Sequence, residues 1–317
     1  MSRSATSKGV NFRETDEYKA LQAYVMEGQV DRKTLRTDSD ANGGFLVPSA
    51  MDNMITKKIT EVSNIRSIAR VRTISSKSLS VPKRATIPTA QYEGELETGT
   101  DSNSTYEEET LTPYRQTFST PISMDMLMDS AFNMEAEIMG DAAEAFAKGE
   151  GTGFVLGTGV KQPEGFLVNA ELIAAARESS TSAQIDAKDV ILLTGDLKVG
   201  YDPVYVMNRR TLAYLRTLVS TDGNFLWQPG MNGAVANTLN GFQYILADDM
   251  PDMAASSLSI AFGDFRRGYL ITDRTGLVVI RDEYTLKKKA AVEFTLMRWN
   301  TGQVVVPEAI KLLKTKA

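Results

Sequence analysis

The first residues with a chemical pattern are Asp38-Ser39-Asp40-Ala41-Asn42-Gly43, which match the first half of a calcium-binding helix-loop-helix loop. That loop needs a bidentate glutamate at its twelfth position, and here the position is Ser49, directly after Pro48. A polar Asp/Asn/Gly linker accounts for the same letters. The glycine-rich run GEGTGFVLGTG at 149–159 could cradle a phosphate with backbone N–H groups. It lacks the G-x-G-x-x-G register, and no Lys-Ser/Thr follows a suitable glycine, so it reads as a weakened helix end followed by a turn. Asp248-Asp249 could form a metal or acid–base pair, but no third ligand or base lies near them, and beside Met250-Pro251 they read as a solvated loop.

The chain has no histidine and no cysteine. This removes the commonest general base, the commonest zinc ligand, and every Ser–His or Cys–His pair. Carboxylate, lysine or tyrosine chemistry survives on paper. The expectation is a protein that is not an enzyme and has no catalytic residues, cofactor or metal site.

The 317 residues suffice for one large domain or two smaller ones with a substantial core. A hydrophobic content of 42% and a charged content of 24% are ordinary for a globular protein. No apolar run approaches the ~18 residues of a membrane span, and MSRSATSKGVNF lacks the apolar core of a signal peptide. The cysteine count fits folding in a reducing cytoplasm. The net charge of −5 does not announce nucleic-acid binding by the chain as a whole.

The most informative stretch is an acidic, Pro-punctuated arm from Val81 to Ile122. Its tip carries Tyr92, Glu93, Glu95, Glu97, Asp101, Glu107, Glu108 and Glu109, and residues 91–112 contain no lysine. So charged a segment cannot bury enough apolar surface to offset its ordering entropy within one domain. Its limbs, with Val81, Ile87, Leu111, Tyr114 and Phe118, are nevertheless β-prone. Such an arm is expected to find its partner on another molecule. The basic clusters are Arg209-Arg210, Arg266-Arg267 and Lys287-Lys288-Lys289, which read as solvated faces or as contacts for acidic surfaces of neighbouring copies. Met124, Met126 and Met128 read as adaptable core filling.

The positioning elements are mixed. Thr15 is a cap for a short helix with Tyr18, Leu21, Tyr24 and Val25, and Ser49 caps one with Met51, Met54, Ile55, Ile59 and Val62. Ile65–Thr73 and Leu79–Val81 suggest strands. Asn133 caps a longer helix with Met134, Ile138, Ala142 and Phe146 on one face, which propensity alone ends near Lys148 because Gly149, Gly151 and Gly153 each cost roughly 1 kcal/mol. Val190–Leu193, Val204–Met207 and Tyr244–Ala247 read as strands, and Asn208 caps a helix carrying Leu212, Leu215 and Val219. Short strands follow at Tyr269–Ile271, Val278–Ile280, Ala291–Met297 and Val304–Val306, with Asp273–Gly276 as a turn. The fold class is α+β.

In this order and spacing the pieces resemble the major capsid proteins of tailed bacteriophages, which have the Hong Kong ninety-seven fold. The resemblance runs from about Thr34 to Leu313. It is carried by GGFLVP at 43–48, IPTAQYEGE at 87–95, TLTPYRQTFSTPIS at 110–123 and LMDS at 127–130. FVLGTGVKQPEGFL at 154–167, PVYVMNRRTLAYLRTL at 203–218 with the later DGNFLW, and GFQYILADDMP at 241–251 continue it. It closes with FGDF at 262–265, DRTGLVVIRDEYT at 273–285 and RWNTGQVVVPEAI at 298–310.

The resemblance implies an N-terminal segment at 1–33, an N-terminal arm at 34–48 and a peripheral domain drawn from 49–80, 123–185 and 262–317. It further implies an extended β-hairpin loop at 81–122 reaching over a neighbour, an axial domain at 186–261, and a long spine helix that continues to about Leu156, bent or weakened at its glycines. Identical subunits are then expected to form hexamers and pentamers of an icosahedral head enclosing double-stranded DNA, assembled in the host bacterial cytoplasm. Implied partners are many copies of the chain itself, a scaffolding protein, a portal, a decoration protein, and DNA in weak non-specific contact; no membrane is implied. An encapsulin-like nanocompartment shell is the alternative within the same fold.

The sequence also departs from that family. Some relatives weld their shells through an extended-loop lysine and a peripheral-domain asparagine, but here the loop lacks lysine and Leu286 stands about where the asparagine would be. A shell without that covalent weld is expected. Many relatives carry a scaffolding segment ahead of the match, whereas only residues 1–33 precede it here, so scaffolding is expected to act in trans or the form is shortened.

Overall fold

The computed structural model describes residues 45–46, 55–56, 59, 63–84, 106–128, 134–219 and 238–317. The expected caps Thr15, Ser49 and Asn133, the arm residues Tyr92, Glu93, Glu95 and Glu97, and the DGNFLW segment lie outside the described residues.

In chain order the elements are β1 (Phe45–Leu46), α1 (Asn64–Ile68), β2 (Arg70–Ile74), β3 (Leu79–Arg84), β4 (Tyr106–Leu111) and β5 (Tyr114–Ser123). Then come α2 (Met124–Met128), α3 (Met134–Leu156), α4 (Ala170–Ala174), β6 (Arg177–Ser182), α5 (Ala187–Gly195), β7 (Val204–Met207) and α6 (Arg209–Thr217). The chain ends with β8 (Thr238–Leu239), β9 (Phe242–Leu246), β10 (Leu258–Gly263), α7 (Phe265–Gly268), β11 (Tyr269–Asp282), β12 (Ala291–Val304) and β13 (Ile310–Lys316). The mixture is the expected α+β class.

The chain divides into two compact units, one drawn from Met1–Val62, Arg115–Ala147 and Gly276–Arg298, the other from Ser63–Tyr114, Lys148–Thr275 and Trp299–Ala317. In the first unit β1 pairs antiparallel with β11, Phe45 opposite Val279, and β5 lies beside β12. Alternate residues of β12, Val292, Phe294 and Leu296, turn inward, as the two-residue period of a strand requires. They meet Ile138, Ala142 and Phe146, which recur at helical spacing on α3. Ile55 and Ile59 join this core, and Phe118 of β5 meets Phe146 edge to face at 6.3 Å.

The return limb of the expected arm is therefore divided. Tyr114–Ser123 is a strand of this sheet with Ile122 buried, so residues 114–122 do have partners in their own chain. The methionines are corrected too: α2 buries Leu127, while Met124 and Met126 are exposed and do not fill the core.

The second unit contains a six-stranded sheet in the order β6-β13-β10-β7-β9-β8. Ile260, Phe262, Tyr205 and Met207 pack from it against α5 and α6. Asn208 caps α6 as expected, its side chain accepting from the Arg210 N–H, with Leu212 and Leu215 buried. The helix ends at Thr217, however, and Val219 is exposed beyond it.

Three further expectations are overturned here. Val190–Leu193 is helical, not a strand: Asp186 and Asp189 form a reciprocal capping box, and the buried positions Val190 and Leu193 are three apart. Ile65–Thr73 is split into α1 and β2, the helix burying Ile65 and Arg66. Asp273–Gly276 is no turn, because β11 runs unbroken through it, pairing in parallel with β2 from Leu270 opposite Arg70 to Arg274 opposite Ile74. Gly276 keeps its freedom for another purpose, a φ of 106° within the strand.

The propensity limit at Lys148 is also wrong, since α3 continues to Leu156. Its glycines are spent on close approach. A Cβ at Gly151 would stand 2.3 Å from Asp249 Oδ2, and one at Gly165, in the turn after the helix, 2.4 Å from the Val155 carbonyl oxygen. Tertiary packing offsets what propensity loses. Gly165→Ala is expected to lower unfolding free energy by about 1–3 kcal/mol, since backbone must move. Gly195→Ala, with nothing within 4 Å of its Cβ, should raise it by roughly 0.4–1 kcal/mol. Urea melts of both variants test the contrast.

Candidate functional site

Two strands leave the second unit as a ribbon. β3 and β4 pair antiparallel from Leu79 opposite Leu111 to Arg84 opposite Tyr106, and join neither larger sheet. The register sets Glu107 opposite Lys83 and Glu108 opposite Pro82. Leu111 is buried at the root, Glu108 is exposed, and Glu109 is half-buried, accepting from the Gln303 amide. A ribbon of two strands is at best marginally stable in water, so one that departs from its domain needs an additional surface to lie on.

Near the ribbon's origin lies a buried charge cluster. Arg66 on α1 is 3% exposed and Glu150 on α3 is 1% exposed. The Arg66 Nε donates to Glu150 Oε2 at 2.9 Å, and its terminal nitrogens donate to Asp273 Oδ2 at 2.5 Å and Oδ1 at 3.1 Å. Asn300 on β12 donates its amide to Glu150 Oε1 at 2.7 Å. Burial favours the neutral guanidine, but attraction by Glu150 and hydrogen bonding to Asp273 outweigh it and hold Arg66 above its ordinary value. The arrangement is a planar fork gripping two carboxylates, with a neutral amide satisfying a remaining lone pair. It has no open position for a substrate.

Nothing in the sequence reading singled out these four residues. The available signals were an arginine set among Ile65, Ile68 and Ala69, and a glutamate flanked by glycines. Asp248 and Asp249 form no catalytic pair; Asp249 accepts from the Thr152 hydroxyl at 2.7 Å. Among the described residues no cluster of acidic side chains is arranged to hold a metal ion.

The basic clusters separate into two kinds. Arg210 is paired with Asp252 at 2.7 Å, and Arg267 approaches Asp264 at 3.6 Å while lying 5.5 Å from the Tyr201 ring centre. Arg209 and Arg266 are exposed. Lys287, Lys288 and Lys289 form one exposed 3-10 turn, closed by Ala290 in the left-handed region at φ 48°. The turn is fixed at its start by Asp282, whose carboxylate accepts from the Tyr284 and Thr285 N–H groups and the Thr285 hydroxyl. These bonds, the hydroxyl's first, hold the Asp282 carboxyl below its usual range. At its end the Ala290 carbonyl accepts from the Met124 N–H at 2.9 Å. The structure thus brings Glu107, Glu108 and Glu109 together on one strand and the three lysines together on one turn.

The model of the family described as "Phage capsid family" matches residues 43–315. Among solved structures, the chain is similar to the capsid of a native GTA particle computed with C5 symmetry, at 27% identity and a TM-score of 0.72, covering 93% of this chain and 99% of that one. The capsid of an empty GTA particle, also computed with C5 symmetry, gives 27% identity and a TM-score of 0.71 over the same shares. A chain of Mycobacterium phage Cain shares the fold at 17% identity and a TM-score of 0.59, covering 80% of this chain and 90% of that one. No curated protein matches the chain.

The Arg66 cluster yields a direct test. Arg66→Met leaves two buried carboxylates without their cation and is expected to cost about 3–5 kcal/mol in urea unfolding of the subunit. Arg66→Met combined with Glu150→Gln and Asp273→Asn removes the charges together and should regain most of that loss. Away from the cluster, the Asp196 carboxyl is held below its usual range chiefly by its hydrogen bonds to Arg177. Its stabilising contribution is therefore present above the unfolded value near ~4 and is lost as pH falls through the lower folded value. Because the pair is about a third exposed, Asp196→Asn should remove no more than ~1 kcal/mol of that acid dependence.

Proposed function

The chain belongs to the phage capsid family, and from that premise we propose that it is a major capsid protein whose copies close into an icosahedral head around double-stranded DNA. The observation that carries this reading is the likeness to a GTA-particle capsid at 27% identity over 93% of this chain and 99% of that one. The mechanism is physical. Head-to-tail contacts between identical subunits close into rings when the rotation closes, here hexamers and pentamers, and rings join into a shell. Many modest interfaces engaged at once supply the stability.

Each part of the chain then has a task. Residues 81–113, rooted in the β3–β4 ribbon, are the extended loop that crosses a neighbouring subunit, and 34–48 the N-terminal arm. Helix α3 is the spine. The part near 186–261 surrounds the centre of each ring, and residues 49–80, 123–185 and 262–317 form the periphery. Supporting this assignment are the ribbon's separation from both larger sheets and the unbroken length of α3. Scaffolding and portal proteins, and a decoration protein, are the proposed partners, with assembly in the host cytoplasm. DNA meets the wall weakly; a protein of net charge −5 does not hold the duplex in the salt-dependent grip of a basic surface. Family and structural neighbours alike are of the phage type, which disfavours an encapsulin-like nanocompartment.

Deletion of residues 91–112 is expected to leave folded, soluble subunits that build no normal shells, seen by circular dichroism and negative-stain microscopy. Wild-type-like particles from the deletion would overturn the reading.

A further inference from the structure

The Lys287–Lys289 turn is a built surface that nothing in its own chain, among the described residues, neutralises. All three lysines are exposed, whereas Arg210 and Arg267 already face Asp252 and Asp264. The turn is also unusually well fixed for an exposed loop, held by Asp282 at one end and by the Met124–Ala290 hydrogen bond at the other. That second bond brings α2 to the same place. Tyr284 is 84% exposed, Met126 47% and Met124 39%, so the cations are accompanied by apolar side chains with little else to cover them.

Successive positions of a 3-10 turn splay by about 120°, so three lysines there do not converge on one small ion. Their long, flexible stems instead spread ammonium groups along a strip. A strip of positive charge edged by a tyrosine and two methionines fits an acidic segment with carboxylates distributed along it and apolar residues between them. The chain contains such a segment: Tyr92-Glu93-Gly94-Glu95-Leu96-Glu97, within a stretch from 91 to 112 that has no lysine or arginine of its own. We propose that the Lys287–Lys289 turn, with Tyr284, Met124 and Met126, is the seat on which residues 92–97 of a second copy dock. This rests on the shell reading above and deepens it. It names one of the three basic clusters as the receptor and makes the contact ionic and salt-sensitive, without a covalent weld.

The test uses particles co-assembled from unlabelled and heavy-isotope-labelled full-length chains. They are treated with a zero-length carbodiimide that joins carboxylates to amines in contact, and the links are read by mass spectrometry. Links between Glu93, Glu95 or Glu97 of one label and Lys287, Lys288 or Lys289 of the other are expected; their absence, or links confined to one subunit, overturns the proposal. In parallel, Lys287→Glu, Lys288→Glu and Lys289→Glu together should lower particle yield more than ~10-fold, because a weakened contact is repeated at every interface. Glu93→Lys, Glu95→Lys and Glu97→Lys together should do the same, and the six changes combined should restore particles. Lysine reversal that leaves yield unchanged, or that alters only the DNA content of normal shells, overturns the seat while leaving the shell reading intact. Failure of the wild-type chain to form particles under any assembly condition overturns both.

Discussion

Arg66 cannot be buried alone. Removing a guanidinium from water costs several kcal/mol unless its charge and its donors are met, and the second unit is arranged around meeting them. Glu150 must come from α3, Asp273 from β11 and Asn300 from β12, so four segments distant in sequence are obliged to converge on one point. The cluster cannot slide, because the fork of Arg66 accepts its partners in one plane. From α1, which carries Arg66, the chain passes through β2 directly into the ribbon β3–β4. A limb meant to bear on another molecule starts from a firmly held place.

This constraint also explains which parts of the fold were legible in the sequence. Strands and helices whose apolar residues obey one period, such as the Asn208-capped helix with Leu212 and Leu215, or the strand Val204–Met207, were read nearly as they stand. Three of the misread places are those that hold the cluster. Ile65–Thr73 looked like one strand because its apolar residues gave no hint that Arg66 turns inward on a short helix. Asp273–Gly276 had the letters of a turn, yet Asp273 is held in a strand by Arg66. The helix was expected to stop at Lys148, but Glu150 draws it onward and Gly151 lets it pass close to Asp249. Local preference lost each time to a distant partner, which no local rule can see. Val190–Leu193 was a different miss, four apolar residues whose period was too short to distinguish strand from helix until the Asp186–Asp189 cap decided it.

The candidate site was legible in its charges and not in its geometry. The acidic residues from Glu93 to Glu109 and the basic clusters could be named from composition, and the missing histidines turned the reading away from most catalysis. Composition could not separate Arg210 and Arg267, which are paired at home, from the lysine turn, which is fixed in shape and turned to solvent. A shell protein has reason to be built this way. Its stability belongs to cores that close within each unit, while the contacts that make the shell remain weak, numerous and outward-facing, so that subunits can be placed and corrected before the particle is complete.

The most direct measurement is a cryo-electron microscopy reconstruction of particles assembled from the full-length chain, at a resolution that traces the segment between β3 and β4. The account predicts closed shells in which that segment lies across an adjacent subunit. Particles in which it packs on the subunit that carries it, or a chain that stays solitary at every concentration and with every assembly partner, would contradict it.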